Sequence, residues 1–231
     1  MVDSTFVTVL VAGNLGGLKA IDNLDTPKTY SMSMVEYLIK IIETELMPIT
    51  AVAADVQSVS SILDVSTKKK VTIFIDHAKD NALASVGQGT EYVIQVSEKA
   101  AGNDTWRPLA AFTAAMTVPV AMITDNLEAV GQTLIECDVA TPVVDDILFF
   151  KNATLALSEW AKVIARVNGV SVTIESGLTN AQAIGTYYTQ GEHFVLTVDV
   201  SSVTRLRVVA NNTKGSTNRA IVWRCAAITA R

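Results

Sequence analysis

Apolar and polar residues alternate with a period of two along most of the chain after residue 70, a pattern typical of half-buried β-strands. The segment 71–78 is strand-like, and 91–97 places Tyr92, Ile94 and Val96 on one face. Three later segments repeat the alternation and direct the following residues inward: Ile135, Cys137 and Val139, then Phe194, Leu196, Val198 and Val200, then Ile221, Trp223 and Cys225. The strands are short and separated by turn signals, so the sequence predicts an all-β sandwich or barrel.

A turn signal lies between two alternating runs at Asn168 and Gly169. A type I′ turn needs a positive φ at both central residues, and Asn-Gly supplies this at low conformational cost. We therefore expect a β-hairpin with a type I′ turn at this dipeptide.

One segment before residue 50 shows helical rather than alternating periodicity. Ser33, with Glu36 three residues later, forms a capping-box pattern, and Pro48 supplies a stop. The apolar positions between them recur at helical spacing: Leu38, Ile39, Ile42 and Leu46. The sequence predicts a helix over 34–46, which either packs in the core or contacts a partner through these four side chains.

The spacing of the strands divides the chain into three predicted parts. Residues 1–50 form an N-terminal arm and the helix. From 131 to 185 the strands are short and closely spaced, which indicates a small β module. This module is inserted between the two halves of a larger sandwich, 51–130 and 186–231.

The composition favours a protein that works in an assembly. Apolar residues make up 49 % of the 231 residues and charged residues 18 %, against about 25 % charged in a typical soluble domain. A chain with so little charge is expected to cover part of its surface with neighbouring copies or partners. The net charge of −5 argues against sequence-independent binding of nucleic acid, which needs a basic face.

Basic residues form two small groups. The lysines at 68–70 are interpreted as a solvated turn before a strand. Arg205 and Arg207 share the outward face of their predicted strand, and Arg224 lies near in sequence to the strand that pairs with it. They form either a solvated edge or a basic strip that contacts an acidic partner.

No segment predicts a membrane span or a secretory leader. The longest weakly polar stretch, 109–124, is too short and is interrupted by Pro119. Cys137 and Cys225 have neither metal-binding nor redox spacing, so we expect two buried free thiols and synthesis in a reducing cytoplasm.

Residues suited to catalysis are few. His77 follows Asp76 in a strand, so the two side chains point to opposite faces and make a poor dyad. His193 lies beside Glu192 at the start of a strand, and the chain has no metal-ligand spacing. The sequence predicts no catalytic, metal-binding or cofactor-binding residue, and a hydrolase with its site in the inserted module is the least favoured class.

Three glycines, Gly13, Gly16 and Gly17, follow an apolar run near the N-terminus. A dinucleotide-binding fingerprint needs G-x-G-x-x-G at a strand–helix junction, whereas the order here is G-x-x-G-G and a polar segment with Pro27 follows. We interpret the glycines as a sharp bend in an arm that pairs with a neighbouring subunit.

A series of strand motifs follows along the chain: SVSSILDVSTKKKVTIFIDHAK, GTEYVIQVSEKAAGNDTWRPLAAFT, ILFFKNATLALSEWAKV, VTIESGLTNAQ and the C-terminal RLRVVANNT…AIVWRCAAITAR. Their order, with Trp106 after a polar stretch, resembles structural proteins of tailed bacteriophages, namely capsid decoration or cement proteins and related virion components. The likeness covers residues 57–231.

The resemblance implies a jelly-roll-like β-sandwich with an inserted small β-barrel module, an N-terminal arm and one helix. It implies a non-enzymatic protein on the capsid surface that binds and stabilises the assembled shell as a homo-oligomer. Its partners would be the major capsid protein and neighbouring copies of itself, with no nucleic acid, membrane or cofactor. Two alternatives stay open: a receptor- or glycan-binding sandwich on the head or tail, with Trp106 and Trp160 as contacts, and a neck or tail component.

We predict that removal of residues 1–30 leaves the β body folded and weakens its assembly onto a partner, because the arm would supply contacts outside the body. Circular dichroism and cosedimentation with the partner check the two effects separately. A truncated chain that fails to fold would place these residues in the core and contradict the arm.

Overall fold

The computed structural model describes residues 42–79, 89–102, 106–114, 122–123, 127–136, 142–183, 187–213 and 220–230. Fourteen strands lie within these ranges, and a short 3₁₀ helix covers Leu155–Leu157. The strands are β1 (Ile42–Val52), β2 (Gln57–Val59), β3 (Leu63–Asp64), β4 (Lys70–Lys79), β5 (Thr90–Ser97), β6 (Arg107–Ala114), β7 (Met122–Ile123), β8 (Leu134–Glu136), β9 (Ile147–Phe150), β10 (Glu159–Val167), β11 (Ser171–Ile174), β12 (Tyr187–Asp199), β13 (Arg205–Asn211) and β14 (Ile221–Ala230).

The strands form two antiparallel sheets packed on each other. The larger sheet has nine strands, in the order β1-β14-β4-β12-β9-β10-β11-β8, with β7 paired to one end of β12. The smaller sheet has five, in the order β2-β13-β5-β6, with β3 paired to β13. The all-β sandwich predicted from the alternation is confirmed.

One apolar core joins the two sheets, because each strand directs alternate residues inward. Ile73 and Ile75 from the larger sheet and Ile94 from the smaller sheet are almost fully buried. The ring of Trp223 lies 5.7 Å from that of Tyr92, across the space between the sheets. The predicted inward residues of β5, β12 and β14 all pack in this core: Tyr92, Ile94, Val96, Phe194, Leu196, Val198, Ile221, Trp223 and Cys225, with Val200 directly after β12.

The segment predicted as an inserted module, 131–185, takes part in a second apolar cluster. The cluster contains Ile135, Leu148, Phe150, Val163, Val172, Ile174, Leu178 and Tyr188. Strand β9 pairs with β12 from Phe150↔Tyr188 to Ile147↔Gly191. The strands β9, β10, β11 and β8 therefore follow β12 side by side and extend the larger sheet. Cys137 and Val139 lie outside the described residues, and the domain boundaries stay a prediction.

The hairpin predicted at Asn168-Gly169 is confirmed, but its turn type is not. Strands β10 and β11 pair up to Val167↔Ser171, and the N–H of Val170 donates to the Val167 carbonyl at 3.0 Å. Gly169 has a φ of 71°, whereas Asn168 is not among the residues with positive φ. The turn is therefore not type I′, which needs a positive φ at both positions.

The helix predicted over 34–46 is wrong where the structure describes it. Residues 42–46 belong to β1, which pairs with β14 from Ile42↔Thr229 to Val52↔Ile221. Leu46 is 3 % exposed and packs in the core, so it cannot serve as the predicted partner contact. Pairing and burial against β14 override the local helical periodicity. Leu38 and Ile39 lie outside the described residues.

The grouping of Arg224 with Arg205 and Arg207 in one basic strip is also wrong. Arg207 lies on β13 in the smaller sheet, whereas Arg224 lies on β14, between β1 and β4 of the larger sheet. The connection from β13 to β14 crosses from one sheet to the other, as is common in sandwiches. Arg224 is near the other two arginines in the sequence, but its strand belongs to the other sheet.

A buried histidine lies between the sheets. His77 is 3 % exposed, and its Nδ1 is 2.8 Å from the hydroxyl of Tyr92. Burial lowers the pKa of His77 to about 4. An unfolded chain protonates histidine near pH 6.5, so between pH 6.5 and 4 the unfolded state binds more protons and stability falls as the pH is lowered.

We predict that the wild-type protein loses about 2 kcal/mol more unfolding free energy between pH 7 and pH 5 than the His77→Gln variant does. Glutamine can still bond to Tyr92 but does not titrate, and Glu192, whose raised pKa acts in the opposite direction, is present in both proteins. Urea unfolding at the two pH values measures the difference. Equal losses of unfolding free energy in the two proteins would show that His77 does not cause the loss of stability at low pH.

Candidate functional site

The outer face of the larger sheet, opposite the core, carries a shallow groove of about 480 Å³. Four neighbouring strands, β1, β14, β4 and β12, contribute to it. We call it the outer groove. Its lining includes Glu43, Glu45, Met47, Phe74, Asp76, His193, Val195, Arg224 and Ala226.

Asp76 is the centre of a charged row across three strands of the outer groove. The register places it beside Arg224 on β14 and His193 on β12. Arg224 donates its Nε–H to Oδ2 of Asp76, and His193 donates its Nδ1–H to Oδ1. Burial acts to raise the pKa of Asp76, but the hydrogen bonds and charges of His193 and Arg224 outweigh it, and the pKa is lowered.

Trp160 supports the arginine end of this row. The Cζ atom of Arg224 lies 5.1 Å from the Trp160 ring centroid, within range of a cation–π contact. The Trp160 ring is itself held by Phe149, 4.5 Å away, and by a hydrogen bond from Nε1 to the His77 carbonyl at 3.2 Å. Trp160 approaches β12 at Gly191, where an added Cβ would lie 2.8 Å from Cδ1 of the indole.

An apolar strip lies beside the charged row. Ala226, Phe74 and Val195 are neighbours across β14, β4 and β12. Phe74 is half-buried, whereas Val195 is 62 % exposed. Glu45 on β1 lies opposite Ala226, at the β1 side of the apolar strip. The outer groove therefore combines fixed hydrogen-bond donors, carboxylates and an apolar surface.

The thiol nearest to this row is not available as a nucleophile. Cys225 follows Arg224 but points into the core, and it is 1 % exposed. Burial, with a contribution from the charge of Asp76, raises the pKa of this thiol to about 12. Within the described ranges, no group of three His, Cys, Asp or Glu residues is placed to hold a metal ion. The arrangement of the outer groove is suited to binding through hydrogen bonds.

Sequence reasoning missed the contact between Asp76 and His193. It correctly assigned Asp76 and His77 to opposite faces, since His77 lies in the core and Asp76 in the outer groove. It compared His193 only with Glu192, its neighbour in the chain. The alternation already directs Asp76 and His193 outward, but their meeting depends on the register of β4 with β12.

Arg205 and Arg207 come together around Trp106 on the outer face of the smaller sheet. Their Cζ atoms lie 5.2 Å and 4.2 Å from the ring centroid. Arg205 is 9 % exposed and donates its Nε–H to the Lys99 carbonyl at 2.6 Å, and Arg207 donates to Oε1 of Gln95 at 2.9 Å. Burial, with the adjacent charge of Arg205, lowers the pKa of Arg207. The two guanidinium groups form one cluster, and their contact with a partner stays a prediction.

Aliphatic side chains are exposed on β8, β10 and β11 of the larger sheet and on the segments that adjoin these strands. We call this surface, with its adjoining turns, the aliphatic end. Its residues are each 46–65 % exposed: Leu127, Val130, Leu134, Val143, Val144, Ile164, Val167 and Val170. Where exposed apolar side chains form one continuous patch, the patch is typical of a surface that contacts another protein.

Comparison with known proteins gives distant structural similarity. No protein-family model matches the chain, and no curated protein sequence matches it. It is weakly similar to the K3 cleaved adhesin domain of Lys-gingipain from Porphyromonas gingivalis W83, with 12 % identity, a TM-score of 0.33, and coverage of 79 % of this chain and 74 % of that one.

Two phage-related structures show similarity of the same weak kind. The SPBc2 prophage-derived protein YomS has 8 % identity and a TM-score of 0.27, over 82 % of this chain and 96 % of that one. VP17, a capsid protein of bacteriophage P23-77, has 12 % identity and a TM-score of 0.22, over 83 % and 96 %. At this level the similarities identify neither a family nor a function.

A membrane-spanning helix is not present in the part of the chain that the structure describes, where no helix has the required length and hydrophobicity.

We predict that Asp76→Asn lowers the unfolding free energy by about 1 kcal/mol, since the amide cannot pair with both Arg224 and His193 as a carboxylate does. Asp76 and Arg224 share one interaction. The double variant Asp76→Asn with Arg224→Gln should therefore lose less unfolding free energy than the two single variants lose in sum. Urea unfolding of the wild type, the two single variants and the double variant gives the coupling free energy between the two side chains. Strictly additive losses would show that the row contributes no pairwise stabilisation.

Proposed function

We propose that the chain is a non-enzymatic structural protein of a phage virion, and specifically a decoration or cement protein that binds the assembled capsid shell. The observation that carries this proposal is the aliphatic end, where Val130 and Val167 are 65 % and 57 % exposed. The resemblance of the strand motifs over 57–231 to such proteins and the low content of charged residues support it.

The aliphatic end presents apolar side chains that a protein–protein contact can bury. Each aliphatic side chain that becomes buried contributes about 1.5–3 kcal/mol before the cost of association. A protein that binds the assembled shell more tightly than the free subunits stabilises the particle by mass action. The proposed mechanism therefore needs a docking surface and no catalytic residue.

The finer description of the fold belongs to the same proposal. The order β1-β14-β4-β12 in one layer and β2-β13-β5-β6 in the other supports a description of these eight strands as a jelly roll. In this description β7 to β11 are an insertion between β6 and β12. Jelly rolls of this kind occur in viral capsid domains and in lectins.

The tryptophans named for the glycan-binding alternative already have partners. Trp106 contacts Arg205 and Arg207, and Trp160 contacts Phe149 and Arg224. An aromatic ring that stacks on a sugar needs an open face. These contacts favour a supporting role for both rings in the fold.

The test uses particles of the phage that encodes this chain, produced without it and then mixed with purified protein. We expect the wild-type chain to cosediment with the particles and to raise the fraction that survives heating. Val130→Asp, together with Val167→Asp, should weaken binding by about tenfold or more, because two charges would be buried at the contact. Ile62→Asp is the matched control, since Ile62 is 51 % exposed and lies outside the aliphatic end.

Absence of the chain from particles to which it has been added would contradict the proposal. Binding without any gain in heat survival would remove the cement role and leave a structural component. Equal losses of binding in the double variant of Val130 and Val167 and in Ile62→Asp would show that the aliphatic end is not the docking surface.

A further inference from the structure

The charged row of the outer groove lies on the face of the larger sheet that is turned away from the core. The core packs against the opposite face of the same strands, through Ile73 and Ile75. Yet the Asp76 side chain is only 13 % exposed, and it orients two donors at once. Keeping a carboxylate largely out of water costs free energy unless its partners offset that cost.

The two donors keep unused hydrogen-bonding atoms. The Nε of Arg224 and the Nδ1 of His193 are bonded to Asp76, and within the described part of the chain the Nη atoms of Arg224 and the Nε2 of His193 have no hydrogen-bond partner. The Arg224 side chain is 48 % exposed and that of His193 37 %. Both groups are oriented in advance, which reduces the entropy lost when a ligand binds.

Acceptors and an apolar surface lie beside these donors. Glu43 and Glu45 of β1 stand opposite Ile228 and Ala226 of β14, and both glutamates are exposed. Phe74 and Val195 lie between the glutamates and the far edge of the groove. A ligand in the groove would meet donors, acceptors and an apolar patch within one shallow surface.

We propose that the outer groove binds a saccharide. A sugar ring carries hydroxyl groups that both donate and accept, and it has an apolar C–H face that can pack on Phe74 and Val195. An anionic ligand would meet the carboxylates of Glu43, Glu45 and Asp76, and an apolar ligand would leave the donors desolvated without partners. The groove volume of about 480 Å³ lies in the range of small-molecule sites.

This site is distinct from the docking surface of the proposed function. The outer groove is formed by β1, β14, β4 and β12, whereas the aliphatic end belongs to β8, β10 and β11 with their turns, and the two surfaces share no residue. A chain docked through one could use the other to contact sugars. The saccharide site does not depend on the identity of the shell.

Saturation-transfer NMR with the full-length chain tests the site. The probes are glucose, galactose, mannose and N-acetylglucosamine, each titrated at millimolar concentration. We expect transfer to at least one of them, with an affinity that falls about tenfold in Arg224→Gln and in Asp76→Asn. Arg224→Lys should recover part of the loss. Lys162→Gln is the control, because Lys162 lies on β10 outside the outer groove, with a side chain that is 40 % exposed and paired with Asp145.

Three outcomes would overturn the proposal. The first is no transfer to any of the four sugars, and the second is a sugar affinity that Arg224→Gln leaves unchanged. The third is tighter binding of N-acetyl-lysine methylamide than of any sugar, which would make the groove a site for a basic side chain of a protein. Arg224→Gln should still cosediment with particles as the wild type does, so a failure here and a failure of the docking proposal are read separately.

Discussion

Strand β4 lies between β14 and β12, and its antiparallel register with both neighbours is the constraint on which the rest of the structure depends. One face of β4 contributes Ile73, Ile75 and His77 to the space between the sheets. The other face contributes Phe74 and Asp76 to the outer groove. Because side chains alternate along a strand, a shift of one residue would bury the carboxylate and expose the isoleucines. The same pairing therefore specifies both the core and the candidate site.

The extension of the larger sheet beyond β12 shapes the outer groove. Strand β9 pairs with β12, and β10 carries Trp160 back over Gly191, where only a residue without a side chain permits the contact. The Trp160 ring then lies within cation–π distance of Arg224. The segment that contains β9 and β10 thus has two roles, since it supplies the support for the charged row and also carries the aliphatic end.

The two candidate surfaces follow different physical rules. The aliphatic end presents side chains whose burial is favourable against almost any complementary apolar surface, so it suits a partner of large area. The outer groove presents few groups with fixed directions, which suits a small polar ligand. Arg205 and Arg207 form a third kind of surface, because both guanidinium groups already have partners. Each lies against the Trp106 ring, Arg205 donates to the Lys99 carbonyl, and Arg207 donates to the Gln95 side chain.

The sequence by itself determined which side of each strand faces the core, because alternation is a local property of the chain. It placed Tyr92, Trp223 and Cys225 inside, assigned Asp76 and His77 to opposite faces, and located the hairpin at Gly169. It could not determine strand partners, since these depend on residues far apart in the chain.

Only the tertiary structure therefore decided that residues 42–46 form an edge strand rather than a helix, through pairing with β14. It alone separated Arg207 from Arg224 by placing their strands in different sheets. The meeting of Asp76 with His193 and Arg224 has the same origin, because register across three strands joins residues that local periodicity treats as unrelated.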